Sequence, residues 1–157
     1  MSRQDLTKEI SVEQADPRDA EVSALLQQSH ALMQALFSPD ENHFLSIDEL
    51  CAPDVTLFVA RIDGLAVGTG ALALREGYGE VKSMFTDKNF RGYGVAGALL
   101  TRIEEAASAH NLPYLRLETG DLLHEAHRLY VRHDFKDCGP FGDYDDSDAS
   151  IFMEKVL

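Results

Sequence analysis

Arg91-Gly92-Tyr93-Gly94-Val95-Ala96-Gly97 stands between a strand-like stretch and the most regular apolar helix pattern in the chain. Glycines let a backbone approach an anion closely. The first-turn N–H groups of a following helix lack intrahelical partners and carry the positive end of its dipole. The segment therefore reads either as a plain glycine turn or as a cradle for phosphate, and its surroundings must decide.

Glu9 to Ala15 alternates like a strand, and Asp16-Pro17-Arg18-Asp19 breaks it and caps a helix from Ala20 to Phe37. A short helix is expected near Ile47 to Cys51. Val55 to Ile62 and Leu65 to Leu74 flank Asp63-Gly64, a pair suited to the type I′ turn of a hairpin. The next strand is expected from Gly79 to Thr86, and an amphipathic helix from Val95 to His110. Tyr114 to Thr119, Phe135 to Cys138 and Ser150 to Val156 read as strands, with a helix from Glu125 to His133. Residues 1–157 are expected to form one α/β domain.

Charge narrows the partners. Lys and Arg number 14 against 27 Asp and Glu, a net charge of −13 that repels nucleic acid and anionic membrane surfaces. No apolar run approaches the ~18 residues of a membrane span, and the opening MSRQDLTKEISVEQAD has no apolar leader core. A cytoplasmic location is expected. Cys51 and Cys138 lie far apart without spaced His or Cys, so both are expected reduced and partly buried, with no metal implied.

Gly92, Gly94 and Gly97 also satisfy the Gly-x-Gly-x-x-Gly fingerprint of dinucleotide-binding folds. That fingerprint wants glycine directly after the strand, whereas Asp87 to Arg91 intervene. It opens its fold, whereas this unit follows four expected strands. The acidic residue sought ~20 positions on is Glu118, which comes late.

A different pattern accounts for more of the chain. Arg91-x-x-Gly94-x-Ala96 resembles the Arg/Gln-x-x-Gly-x-Gly/Ala motif of the GNAT superfamily, the acetyl-CoA-dependent N-acetyltransferases. Glu80-Val81-Lys82-Ser83-Met84-Phe85-Thr86 is similar to the bulged strand before that loop. The stretch from Ala126 to Phe135 resembles the family's Ala-x-x-Leu-Tyr-x-x-x-Gly-Phe segment. Two departures stand out: Asp134 replaces the usual Gly, and Leu123 replaces an Asn that contacts the cofactor in many members.

The resemblance implies a GNAT fold, a mixed twisted central sheet flanked by helices, with acetyl-CoA as co-substrate. It implies pyrophosphate on the backbone of Arg91, Gly92, Tyr93, Gly94, Val95, Ala96 and Gly97, and the pantetheine arm along Met84, Phe85 and Thr86. Tyr130 matches the tyrosine that protonates the departing thiolate; its alternative is packing alone. A base is needed because an ammonium has no lone pair. Glu80 is the first candidate, acting directly or through water, and Glu118 the second; simple solvation is the alternative for both. The expected partner is a small-molecule amine or a peptide N-terminus, attacked directly, and a homodimer is possible. A non-catalytic acyl-CoA-binding module is the rival. The loops Ser38 to His43 and Gly139 to Ser150 are expected to flank the acceptor's entrance.

Overall fold

The computed structural model describes residues 9–157; the N-terminal stretch read as lacking a leader lies largely outside them. Seven strands form one sheet in the order β1-β2-β3-β4-β5-β7-β6. These are β1 (Ile10–Gln14), β2 (Val55–Ile62), β3 (Leu65–Arg75), β4 (Tyr78–Thr86), β5 (Tyr114–Gly120), β6 (Lys136–Cys138) and β7 (Ser150–Val156). The helices are α1 (Ala20–Leu36), α2 (Ile47–Leu50), α3 (Val95–Ala109) and α4 (His124–Arg132).

Local chemistry sets the element ends. The Asp19 side chain caps α1 by accepting from the Val22 N–H. Ser46 and Glu49 form a capping box that starts α2. Asp63 and Gly64 both have positive φ, 51° and 82°, as a type I′ turn requires. At the end of α4, the Phe135 N–H reaches back to the Tyr130 carbonyl and Asp134 takes φ 70°, a Schellman ending. Aspartate thus supplies the left-handed residue where glycine is usual.

Alternation along β2 builds two cores. Phe58 and Ala60 pack with Val95, Leu99, Ile103 and Tyr130 on one face. Leu57 and Val59 pack with Val22, Leu26 and Leu50 on the other. The sheet is therefore a wall between α3/α4 and α1/α2.

Two irregularities open that wall. Opposite β3, Lys82 pairs with Ala71 and Phe85 with Thr69, so β4 carries one extra residue, and Ser83 sits at φ 57°. The Thr69 hydroxyl donates to the Ser83 carbonyl at 2.9 Å and pins the bulge. Beside it, β4 and β5, the one parallel pair, match only at Gly79–Leu115 and Glu80–Arg116. Beyond those pairs the strands part.

Expected boundaries shift by no more than one residue at either end, and those of β2 and β7 match. Phe37 caps α1 rather than extending it, and His124 joins α4. Short 3₁₀ turns at Pro39–Glu41 and Lys88–Phe90 were not foreseen. Cys51 is exposed rather than partly buried, because it sits at the end of α2 facing water.

Candidate active site

The parting of β4 and β5 continues into a cleft of about 830 Å³. Met84, Phe85 and Thr86 from β4, Arg91, Gly92, Gly94, Val95, Ala96 and Gly97 from the loop and α3, and Tyr130 from α4 all line it. Tyr93 does not: its ring packs against Phe90, 6.0 Å between centroids, and props the loop from behind.

Gly92 and Gly94 have φ of 86° and 88°, and a Cβ built on either would meet no protein atom within 4 Å. They are needed for their backbone conformation and for the empty space above them. The first intrahelical bond of α3 runs from the Ala98 N–H to the Gly94 carbonyl. The N–H groups of Val95, Ala96 and Gly97 therefore precede the hydrogen-bonded ladder. An open concavity with unpaired donors at a helix start suits the phosphates of a coenzyme.

Charge is placed to match. Among the described arginines, Arg18, Arg61, Arg75 and Arg116 are committed to carboxylates. Among the described residues Arg91, Arg128 and Arg132 form no ion pair, and all three line the cleft. Arg128 and Arg132 lie four apart on α4, on one side of the helix. They were not singled out from sequence, although that spacing in so acidic a chain is a visible signal.

Tyr130 is 5% exposed and packs edge-on against Phe135, 5.7 Å between centroids. Burial, with the nearby charge of Glu118, pushes its phenol above the ordinary tyrosine range. It stays a protonated donor at neutral pH. Leu123, in the place of the absent Asn, leads α4 without any side-chain cap.

Glu80 and Glu118 lie outside the cleft lining, in and beside the opened seam. Glu80, 3% exposed, is surrounded by donors: Arg75 Nε at 3.2 Å, the Tyr144 hydroxyl, and Lys82 Nζ at 3.5 Å. Glu118 accepts from the Ser150 hydroxyl at 2.7 Å. Burial raises its pKa, outweighing the Ser150 hydrogen bond and the charges of His43 and Lys82.

The two loops expected at the entrance do meet. His43 lies edge-on to Tyr144, 5.2 Å between ring centroids, and its carbonyl accepts from Lys82 Nζ at 2.8 Å. Sequence reading singled out neither Lys82 nor Tyr144 as a site residue, although Lys82 lies within the segment likened to the bulged strand.

The molecule can be compared with known proteins on this basis. The Acetyltransferase (GNAT) family model matches residues 22–135. The chain is 39% identical to an IAA acetyltransferase of Azospirillum brasilense over 152 residues, 94% of this chain and 98% of the relative. It is 36% identical to the uncharacterized N-acetyltransferase YsnE of Bacillus subtilis, covering 82% of this chain and 87% of that one. A Klebsiella pneumoniae structure described as an acyl-CoA N-acyltransferase superposes with TM-score 0.80 at 33% identity, over 94% of this chain and 97% of the other. With the glycine cradle, the bulged β4 and the seam between β4 and β5 in place, these matches establish that the chain belongs to the GNAT family of acetyltransferases.

Proposed function

We propose that this chain transfers acetyl from acetyl-CoA to a primary amine by direct attack within a ternary complex. The chain acts as a single domain in the cytoplasm. The observation that carries the reading is the single cleft joining an anion cradle at α3 to the Tyr130 phenol, through the seam where β4 and β5 separate.

When bound, acetyl-CoA supplies the activated acetyl group. Gly92 to Gly97 hold its phosphates with backbone donors, Arg91, Arg128 and Arg132 add positive charge, and Met84 to Thr86 flank the arm. A carboxylate beyond the seam takes a proton from the acceptor ammonium. Of the two expected, Glu118 suits this better than Glu80, because Glu80 already receives three donors whereas Glu118 receives one. Desolvation also makes Glu118 the stronger base. Glu80 then anchors Lys82 and Tyr144 beside it. The Tyr130 hydroxyl donates toward the leaving sulfur. The neutral amine bonds to the thioester carbon, the C–S bond breaks as the Tyr130 hydroxyl protonates the departing sulfur, and the second proton shed by the nitrogen restores Tyr130 through solvent, leaving one net proton on the carboxylate.

Thermal unfolding tests the reading. CoA and acetyl-CoA should raise the melting temperature through binding to the folded state, and NAD should not. Gly94→Val should remove the shift, since a branched side chain occupies the cradle. Thiol release from acetyl-CoA that depends on added amine then separates an enzyme from a passive acyl-CoA-binding module.

A further inference from the structure

The apolar stripe of α1 runs beyond the sheet that ought to cover it. Its first turns bury Val22, Leu25, Leu26 and Ser29. Its last turns present Leu32, Met33 and Leu36 to the cleft, and Leu36 is 39% exposed. The cause lies in the strands: β4 and β5 separate after Glu80 and Arg116, so the sheet is open where the helix ends. Phe85 and Leu122 line the same cleft, and Leu122 is 50% exposed. Large apolar side chains left in water at a concave site mark what the site takes up.

The wall belongs to the acceptor's end. α1 packs on the sheet face of Leu57 and Val59, opposite the face that carries α3, α4 and the phosphate cradle. Among the described residues, the Lys and Arg side chains on this side are already committed. Lys82 is held by the His43 carbonyl, Tyr144 and Glu80. Arg75 is held by Asp54 and Glu80, and Arg116 by Glu154. Among the described residues a carboxylate on the acceptor would meet no uncommitted Lys or Arg on that face, and a second ammonium resting on Leu32, Met33 and Leu36 would be set against hydrocarbon.

We infer that the acceptor is an amphipathic primary amine, an alkyl- or arylalkylamine without a carboxylate, whose apolar body rests on Leu32, Met33, Leu36, Phe85 and Leu122. The inference rests on the acetyl-transfer reading and names the substrate class of that site.

Thiol release at saturating acetyl-CoA, measured with phenethylamine, hexylamine, ethanolamine, putrescine and alanine, tests it. Phenethylamine and hexylamine should exceed the other three by at least roughly tenfold in kcat/KM, the order a small apolar contact difference gives. Leu36→Ser and Leu122→Ser, at exposed positions, should each raise the phenethylamine KM several-fold and leave the acetyl-CoA KM in place. Equal kcat/KM across the five amines overturns the inference. So does a rise confined to the acetyl-CoA KM, which would assign the wall to the coenzyme. If no amine turns over, the acetyl-transfer reading fails, and calorimetry still decides the inference: phenethylamine must bind the CoA-loaded protein and bind Leu36→Ser more weakly.

Discussion

Lys82 Nζ in β4 lies 2.7 Å from the hydroxyl of Tyr144, in the connection from β6 to β7. That hydroxyl in turn donates to Glu80. One side of the seam is thus tied by a partly buried run of polar groups, closed by the His43 carbonyl on Lys82. Burial, reinforced by the charge of Glu80, pushes the Tyr144 phenol above its usual range, so it remains a donor. A network of this kind fixes geometry because every member left unpaired is desolvated without compensation.

Tyr144→Phe keeps the edge-on ring contacts to Phe141 and Phe152, at 5.2 and 5.6 Å, and removes only the hydroxyl. Hydrogen bonds to charged groups contribute roughly 1.5–3 kcal/mol each. The variant should lose stability of that order, seen as a lower urea midpoint with an unchanged m-value. A midpoint equal to that of the parent would show that Lys82 and Glu80 satisfy one another without the phenol.

Glu118 gives a prediction with the opposite sign. Its folded pKa is raised above the unfolded one, first by burial. Its favourable contribution is therefore complete below the unfolded value and is lost as pH rises through the folded value. At pH 8 the protein folds at the expense of an ionised, desolvated carboxylate. Glu118→Gln should raise the melting temperature at pH 8, with the gain fading toward pH 4, while amine-dependent turnover falls. A lower melting temperature at pH 8 would mean that the bonds to Glu118 outweigh its desolvation.

How far the sequence carried these conclusions depends on the range of the interaction. The Asp63-Gly64 turn, the α3 cradle and the Tyr130 to Phe135 helix ending are each encoded within a few residues, and each was legible. The expected strand from Gly79 to Thr86 and its bulge were legible through the resemblance. The partly buried run from Lys82 to Tyr144 was not, because it joins residues 62 positions apart, and no local pattern reports which loop packs on which strand. The positions of Leu32, Met33 and Leu36 in the chain fit any helical apolar stripe, because periodicity does not show that the partner strands diverge. The choice between Glu80 and Glu118 likewise turned in part on Tyr144 and Ser150, which come 64 and 32 positions later.

Arg128 and Arg132 are exposed, so their replacement should leave the fold intact. The double Arg128→Ala, Arg132→Ala variant should raise the KM for acetyl-CoA roughly tenfold at low salt, the loss of about one charged hydrogen bond. Its kcat should hold at saturating coenzyme, and the gap from the parent should narrow as salt screens the interaction. An unchanged KM at low salt would leave the backbone donors of α3 and Arg91 as sufficient for the phosphates.

Tyr130→Phe tests the chemical step itself. The ring packs edge-on against Phe135 and is 5% exposed, so removal of one oxygen should keep both the fold and CoA binding. General acid catalysis typically contributes ~100- to 10,000-fold, and the deficit should fall in kcat rather than in either KM. Glu118→Gln behaves differently: its deficit should shrink as pH rises and more acceptor amine is already neutral. The Tyr130→Phe deficit should persist across that range, because its proton goes to sulfur and not to nitrogen. Crossing the two variants separates them further, since an acid and a base acting in one step give losses that do not add. Parent-like kcat in Tyr130→Phe, under conditions where chemistry limits turnover, would reduce Tyr130 to a packing residue and move the search for the proton donor to solvent.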